Sequence, residues 1–235
     1  MTSPLSTAAF VYARLDSSRF PGKALESLGH ERLIHAVYRR STAIRADLVV
    51  VLTTDRSVDD PLVDFCRRNR FEVFRGNPFD LVRRTLDALD AYQPERFVRV
   101  NGDSPLIAPS LVNAALRWAD GGPELVSNLF VRTFPYGIGI ECVSSAAYRR
   151  VAPYARAVDV EHVTRHLYRP DVRRKLTAVS MRDAARTATT ARVVVDTPAD
   201  LDAIRNLVGD APLADTPYWS LLGVAPPSIV FEDVP

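Results

Sequence analysis

Ten residues near the start of the chain combine cations, hydroxyls and a turn in a way that suits a polyanion. The stretch RLDSSRFPGK contains Arg14, Arg19 and Lys23, together with two serines and a Pro-Gly pair. It directly follows the apolar run 9–13, which is typical of a buried strand. Backbone N–H groups and hydroxyls can hold phosphate oxygens while cations neutralise them. The loop is therefore a candidate phosphate site, and a solvated basic turn is the competing interpretation.

Two aspartates that follow apolar runs are candidates for holding a divalent cation. Asp103 lies in VNGDSPL, residues 100–106, and Asp196 follows three valines and precedes Thr197-Pro198. Mg²⁺ prefers oxygen ligands and is usually held by one or two carboxylates together with phosphates. The two aspartates fit that count, and the alternatives are a Gly-Asp turn for Asp103 and a helix cap for Asp196. Asp200 is assigned to the first turn of the following helix.

The elements that must position these residues alternate between strand and helix in the first half of the chain. Apolar runs and helical periodicity predict strands at 9–13, 47–53, 71–74 and 96–100, and helices at 31–44, 60–69 and 79–92. This alternation predicts an α/β fold with a mostly parallel central sheet and helices on both faces. Because ligands in such sheets bind beyond the carboxyl ends of the strands, we expect the basic loop, residues 75–77 and residues 101–103 to converge on one crevice.

The second half is less regular. Helices are predicted at 109–118, 144–151, 158–168 and 198–208, and strands at 124–129, 138–143, 175–181 and 193–195. The proline-rich residues 209–235 are expected to form a loop or an arm on the surface. We therefore assign residues 1–208 to one domain and residues 209–235 to a C-terminal tail packed on it or extending from it.

Composition limits the class of protein. The 235 residues are 47% hydrophobic, which fits one domain with a sizeable core. A formal net charge of +2 argues against general nucleic-acid binding. No apolar run approaches the roughly 18 residues of a membrane span, and residues 1–7 carry no charged leader region. Cys66 and Cys142 show no disulfide or metal-ligand spacing. We expect a cytoplasmic protein with no nucleic-acid or membrane partner.

Four stretches of the chain resemble the cytidylyltransferase family, which makes CMP-activated sugar acids and includes the spore-coat polysaccharide type. Residues 13–23 match A-R-x-x-S-[ST]-R-x-P-G-K, and residues 101–106 match [TN]-G-D-x-P-L. Residues 195–201 match V-D-T-P-x-D-L, and residues 75–84 match R-G-[SN]-x-x-D-[VL]-[LV]-x-R. The resemblance extends over about residues 8–208 and implies the Rossmann-like three-layer nucleotidyltransferase fold.

This resemblance implies a reaction and a set of site residues. The reaction is the Mg²⁺-dependent transfer of CMP from CTP to an acidic acceptor, such as a sugar acid, with release of pyrophosphate. The implied catalytic residues are Arg14, Lys23, Asp103 and Asp196, of which Asp103 and Asp196 hold the metal. The implied nucleotide-binding residues are Ala13, Arg14, Ser17, Ser18, Arg19, Lys23, Arg75, Gly76, Asn77, Arg84 and Asn101. The implied acceptor-binding residues are Ser127, Asn128, Glu141, Glu161 and His162.

Two of these assignments have strong competing interpretations. Arg84 could be a surface arginine paired with Asp80 one helical turn away. His162 could be a partly buried helix histidine. Relatives in the family are usually homodimers, and the apolar residues within 130–140 are a candidate interface. The competing interpretation of that segment is that it packs on its own sheet.

Three positions depart from the family patterns. Asp16 replaces a small residue in the basic loop, where a carboxylate beside a triphosphate is unfavourable unless it faces away or meets a cation. Tyr136 and Gly139 replace the aspartates of D-G-x-D-[VI]-E, and these changes bear on the acceptor more than on the nucleotide. Two other functions stay open. A glycosyltransferase of similar fold would normally show an Asp-x-Asp motif, and a non-catalytic nucleotide-binding protein would need none of the catalytic residues.

Overall fold

The computed structural model describes residues 5–185, 191–209, 211–213 and 216–234. Its strands are β1 (Thr7–Tyr12), β2 (Ser27–Leu28), β3 (Glu31–Arg32), β4 (Leu48–Thr54), β5 (Glu72–Gly76), β6 (Arg96–Asn101), β7 (Leu125–Ser127), β8 (Glu141–Ser144), β9 (Ala178–Asp183) and β10 (Ile229–Val234). Its α-helices are α1 (Leu33–Ser41), α2 (Asp60–Arg68), α3 (Leu81–Tyr92), α4 (Pro109–Ala119), α5 (Ser145–Val151), α6 (Pro170–Arg173), α7 (Pro198–Val208) and α8 (Tyr218–Leu221).

An eight-stranded sheet, in the order β10-β9-β7-β8-β6-β1-β4-β5, forms the centre of the molecule. The β5-β4-β1-β6 half is parallel throughout, and β7 pairs in parallel with β9. Two strands run against the others: β8 is antiparallel to β6 and β7, and β10 is antiparallel to β9. The prediction of a mostly parallel sheet is confirmed. After β1 the chain adds β4 and β5 on one side and then β6 on the other, so the crevice opens where β1 and β6 end.

Strand β1 is buried along its whole length because helices cover both faces of the sheet. Ala9 and Val11 pack into one core with residues of α1, α2, α4 and α7. Phe10 packs into a second core, with α3 and α5, and its ring stacks on Phe97 at a centroid distance of 5.6 Å. These two cores make the fold a three-layer arrangement of helices, sheet and helices. Within the described residues, no helix combines the length and apolar character needed to cross a bilayer.

Two predicted helices are wrong in part. The helix expected at 31–44 begins at Leu33, because Glu31 and Arg32 pair with residues 27–28 in a short hairpin. The segment 158–168 is mostly turns and ends in a single 3₁₀ turn at Arg165–Tyr168. Asp159 explains the second difference: its side chain accepts hydrogen bonds from the Arg156 N–H at 3.0 Å and from Arg169 Nη1 at 2.5 Å. Such local side-chain bonds compete with helix formation.

Two other predictions are wrong, one for a strand and one for the tail. The valines 193–195 are buried as expected, but they lie outside the sheet. Val193 N–H donates to the Tyr136 carbonyl at 2.7 Å, and Val195 N–H donates to the Asp103 carbonyl at 2.9 Å. The tail expected to be a loop or an arm contributes α8 and the edge strand β10. The domain division at residue 208 stays a prediction.

His166 makes the stability of the fold depend on pH. The ring is fully buried beside Tyr148, with centroids 5.4 Å apart, and neither ring nitrogen has a hydrogen-bond partner among the described residues. Burial lowers the pKa of His166 from 6.5 to about 4, although the Asp159 charge acts to raise it. The unfolded state therefore binds the proton more readily. The contribution of His166 to stability is therefore constant above about pH 6.5, and stability is lost through this group as the pH falls towards 4.

We expect His166→Phe to flatten this dependence. In the natural chain His166 takes up a proton on unfolding, and this lowers the free energy of unfolding by on the order of 2 kcal/mol when the pH falls from 7.5 to 5. Thermal unfolding at both pH values measures the loss, and the fall in Tm should be smaller for the variant. His30→Gln, at an exposed position, is the control. An equal fall in Tm for His166→Phe and the natural chain would contradict the assignment.

Candidate active site

Two adjoining cavities open at the carboxyl ends of β1 and β6. The smaller, about 290 Å³, is lined by the basic loop and is called the loop cavity. The larger, about 650 Å³, is lined by Arg99, Arg132 and Arg165 among others and is called the arginine cavity. Arg19, Asn101, Asp103 and Asp196 line both. The two aspartates therefore lie on the border between the cavities.

The basic loop is folded by its own backbone and anchored to the protein beneath it. Gly22 N–H donates to the Leu15 carbonyl at 2.8 Å and closes the loop. Leu15 N–H in turn donates to Oδ1 of the buried Asp59 at 2.6 Å. This arrangement directs Ala13, Arg14, Ser17, Ser18 and Lys23 towards the loop cavity, whose lining contains all five.

Asp16 does not oppose an anion in this cavity. Its carboxylate lies 3.4 Å from Arg14 Nε through Oδ1 and forms an ion pair with Arg56 through Oδ2. Asp16 is absent from the lining of the loop cavity. The Asp16 carboxylate is therefore paired with cations, so its presence in the loop is compatible with a bound triphosphate.

Lys23 joins the two candidate metal ligands. Its Nζ donates to Asp103 Oδ2 at 2.7 Å and to the Val195 carbonyl at 2.7 Å, and it lies 3.5 Å from Asp196 Oδ1. Arg19 Nη2 reaches the same Asp196 oxygen at 2.8 Å. The side chain of Lys23 is 12% exposed, so the ammonium is largely shielded from water. Two carboxylates that are far apart in the sequence thus approach the same ammonium group.

This pair of carboxylates suits a divalent cation that completes its coordination with phosphate oxygens and water. Both aspartates already approach a single cation, the Lys23 ammonium, from two sides. Within the described residues no group of three or more acidic, histidine or cysteine side chains could hold a metal by itself. Mg²⁺ is commonly bound by one or two carboxylates together with substrate phosphates, so the arrangement fits it.

Two glycines allow the backbone to approach closely at this site. A Cβ on Gly102 would lie 2.7 Å from the Tyr12 carbonyl oxygen and 2.8 Å from the Ala13 Cβ, so only glycine lets β6 end against β1. Gly137 has a φ of +111°, and a Cβ there would lie 2.7 Å from the Val193 carbonyl. The first contact positions Asp103, and the second holds the 193–196 segment that carries Asp196.

Arg84 is a buried residue of the loop cavity, and its interpretation as a surface arginine is wrong. It is 1% exposed, and its Nε donates to the Asn77 carbonyl at 2.8 Å. Asp80 instead caps α3 by accepting from the Arg83 N–H at 2.8 Å. Burial lowers the pKa of the Arg84 guanidinium. Arg84 lines the loop cavity while the backbone carbonyls of Asn77 and Pro78 accept hydrogen bonds from its guanidinium.

The structure does not bring residues 75–77 into either cavity. Arg75 donates to the carbonyls of Thr54 and Arg56 at 3.1 and 2.9 Å and lies 2.7 Å from Asp60. Gly76 ends β5, and the Asn77 side chain accepts backbone N–H groups of residues 79 and 80. These three residues instead hold the end of β5 in place, and the Asn77 carbonyl accepts a hydrogen bond from Arg84.

Ser127 and Glu141 lie beneath the arginine cavity. Glu141 accepts hydrogen bonds from Arg99 Nη1 at 2.5 Å and from the Tyr168 hydroxyl at 2.6 Å. The Ser127 hydroxyl lies 2.6 Å from that of Tyr168. Burial and the nearby Glu141 charge raise the pKa of Tyr168 well above its usual value. Arg99 and Tyr168 line the cavity, whereas Ser127 and Glu141 orient them.

Sequence reasoning missed Arg99 and Tyr168. Arg99 could have been noticed as a cation inside a buried strand, two residues before the Asn-Gly-Asp motif. Tyr168 carries no such signal. It reaches the site from the 158–168 segment, and its partner Glu141 lies far away in the sequence.

The other three predicted acceptor residues do line a cavity. Asn128 holds the loop 129–140 closed by donating to the Ile138 carbonyl at 2.7 Å and accepting from the Ile140 N–H at 2.8 Å. Glu161 lines the loop cavity and His162 the arginine cavity. Both are exposed and lie in a turn, so the interpretation of His162 as a partly buried helix residue is wrong.

Comparisons with known proteins identify relatives of this chain. A family model described as cytidylyltransferase matches residues 8–215. The chain is 28% identical over 206 residues to the spore coat polysaccharide biosynthesis protein SpsF of Bacillus subtilis (strain 168), covering 84% of each protein. It resembles the structure of a cytidylyltransferase from Leptospira borgpetersenii serovar Hardjo-bovis, with a TM-score of 0.84 and 25% identity over 93% of both chains.

A second solved structure extends the likeness of fold. It is CMP:2-keto-3-deoxy-manno-octonic acid synthetase complexed with CTP, with a TM-score of 0.64 and 17% identity. The match covers 86% of this chain and 98% of that one. The Rossmann-like three-layer nucleotidyltransferase fold implied by the sequence motifs is thereby confirmed.

Proposed function

Because the chain belongs to the cytidylyltransferase family, we propose that it transfers CMP from CTP to an acidic acceptor, a sugar acid or a related compound, and releases pyrophosphate. The observation that carries the proposal is the position of Lys23 between Asp103 and Asp196, on the border of the two cavities. A nucleotide in one cavity and an acceptor in the other would meet at this border. We also propose that the enzyme works in the cytoplasm, where CTP is available.

The basic loop supplies the positive charge that a triphosphate requires. Arg14, Arg19 and Lys23 neutralise phosphate oxygens, and Ser17 and Ser18 offer hydroxyl donors from the same wall. Asp103 and Asp196 would hold Mg²⁺ against the phosphates, and the metal would supply charge neutralisation at the reacting phosphorus. Arg84 and Asn101 complete the lining towards the nucleoside.

The chemistry then consists mainly of positioning and charge stabilisation. An oxygen of the acceptor forms a bond to the α-phosphorus, the bond from that phosphorus to the bridging oxygen breaks, and pyrophosphate leaves. Negative charge grows on the leaving group, where Arg14, Arg19 and Lys23 can stabilise it. An acceptor oxygen that is already ionised needs no general base, and otherwise its proton passes to water.

Pyrophosphate release tests this proposal. CTP is incubated with Mg²⁺ and a panel of 2-keto sugar acids, and UTP, GTP and ATP compete in parallel. We expect release that depends on both CTP and an acid. CTP should be preferred, because a pocket rejects a base that leaves the polar groups of the pocket unpaired. Preference for another nucleotide would reject the cytidylyl assignment. A nucleotide sugar is tested as donor in a parallel assay, and activity in that assay alone would indicate a glycosyltransferase. Binding of CTP without turnover would indicate a non-catalytic protein.

We further propose a homodimer, as the family resemblance implies. The segment 130–140 gives less support than its composition suggests, because Phe134, Ile138 and Ile140 are buried within their own chain. Val131 and Tyr136 are the large apolar residues of the segment that stay exposed. Light scattering at micromolar concentration decides the state. A mass near the 26.1 kDa of one chain rejects the dimer, and about twice that mass supports it.

A further inference from the structure

The wall of the arginine cavity differs from the family pattern in its charge. Tyr136 stands where D-G-x-D-[VI]-E has its first aspartate, and Gly139 stands where it has the second. Two guanidinium groups lie over the Tyr136 ring: Arg132 at 5.5 Å and Arg192 at 4.7 Å from the centroid. An aspartate beside these groups would neutralise charge, whereas a tyrosine holds them in place and leaves them cationic.

Arg192 does not add to this excess, because it is already neutralised. It donates to Asp196 at 2.6 Å and to Asp200 at 3.1 Å. Arg99 is likewise paired with Glu141 at the base of the cavity, at 2.5 Å. These two arginines belong to internal ion pairs and are not available in full to a ligand.

Arg132 and Arg165 are different, since neither has a strong internal partner. Arg132 has no ion pair among the described residues, and it lines the cavity. Arg165 has its nearest carboxylate, Asp159, 3.9 Å away, and Arg169 already binds that carboxylate at 2.5 Å. Both arginines are exposed and line the same cavity. The cavity therefore presents two positive charges that the chain itself leaves largely uncompensated.

We propose that the acceptor carries a second anionic group, in addition to the acid of the reacting end, and that Arg132 and Arg165 bind it. The group is a phosphate, a phosphonate or a carboxylate, because a guanidinium binds each of these oxyanions through paired N–H donors. This inference rests on the proposed function, since it describes the acceptor of the same CMP transfer.

Matched acceptors test the inference by turnover. The pair is 2-keto-3-deoxy-manno-octonic acid and its terminal phosphate ester, with the corresponding terminal dicarboxylic acid as a third compound. We expect kcat/KM to be at least about 10-fold higher for a doubly anionic acid, as one charge-assisted hydrogen bond or more would give. The better of the two doubly anionic compounds identifies the group. Equal use of the singly and doubly anionic acids would overturn the inference.

Three variants locate the effect. Arg132→Gln combined with Arg165→Gln should reduce the preference to below about 3-fold, since both donors of charge are removed. Tyr136→Asp, which restores the family residue, should also reduce it. Arg117→Gln, an exposed arginine on α4 outside both cavities, should keep the natural preference. A double variant that retains the preference would reject these two arginines as the binding groups.

A binding experiment separates this inference from the proposed function. Inorganic phosphate is titrated calorimetrically into protein saturated with α,β-methylene-CTP, which fills the loop cavity and cannot react. We expect the double variant to bind phosphate at least about 5-fold more weakly than the natural chain. Equal binding would overturn the second-anion inference. Failure of the proposed function would appear instead as no pyrophosphate release with any acid, and the phosphate comparison would still give its answer.

Discussion

Asp103→Asn is expected to lower the rate of CMP transfer by about 10²–10³-fold or more, the largest effect of any single change at this site. The substitution removes one of the two carboxylates that would hold Mg²⁺, so the α-phosphate loses its position and its charge compensation. Folding should be nearly unaffected, because Asp103 is partly exposed at a strand end and its ion pair is with Lys23. Initial rates at saturating Mg²⁺ and thermal unfolding measure the two effects.

Asp120→Asn provides the matched control for this change. Asp120 is an exposed aspartate at the end of α4, 2.6 Å from Arg45 and outside both cavities. Its replacement removes the same charge and should leave turnover unchanged. If Asp103→Asn keeps nearly the natural rate at saturating Mg²⁺, Asp103 is not part of the site.

Lys23→Ala is expected to change two affinities in opposite directions. CTP should bind about 10-fold or more weakly, because a shielded point charge on the phosphates is lost. Mn²⁺, used as a spectroscopic substitute for Mg²⁺, should bind more tightly without nucleotide, because the ammonium between Asp103 and Asp196 no longer competes for their charge. Transfer should slow as well. Electron paramagnetic resonance titration of Mn²⁺ and calorimetric titration of CTP measure the pair of effects.

The composition of the chain makes the control unusually clear. Only two of the 30 basic residues are lysines, Lys23 and Lys175. Lys175 lies over the Tyr154 ring at 4.7 Å, outside both cavities. Lys175→Ala should leave both affinities as they are. If Lys23→Ala binds CTP and Mn²⁺ like the natural chain, the loop is a basic turn with no role in the site.

The sequence allowed the central strands and the motif residues to be predicted because their signals are local. β1 and β4 are interior strands of the sheet that contain unbroken apolar runs, and β6 carries the buried apolar residues Phe97, Val98 and Val100. Lys23, Asp103 and Asp196 lie in compact motifs at the ends of apolar runs, and the structure brings all three together. Asp200 lies in the first turn of α7 as expected, and there it forms a capping box with Thr197.

What could not be predicted depends on partners distant in the chain. Apolar runs report burial but not pairing, so they predict a strand for the valines before Asp196, which instead contact loops. The roles of Arg99 and Tyr168 follow from Glu141, which lies 42 residues after one and 27 before the other. Arg84 was ambiguous because its donors are satisfied by backbone carbonyls, which leave no trace in residue types.

The strand formed by the last residues has a consequence for solubility. β10 covers one side of β9 over six residue pairs, and β9 is almost entirely buried. Without β10, β9 would become the outermost strand, with a row of unpaired N–H and C=O groups beside apolar side chains. Such an edge can accept a strand from another molecule, so chains shortened before residue 229 would self-associate through sheet extension. We therefore expect β10 to protect the protein against aggregation, apart from any part in catalysis.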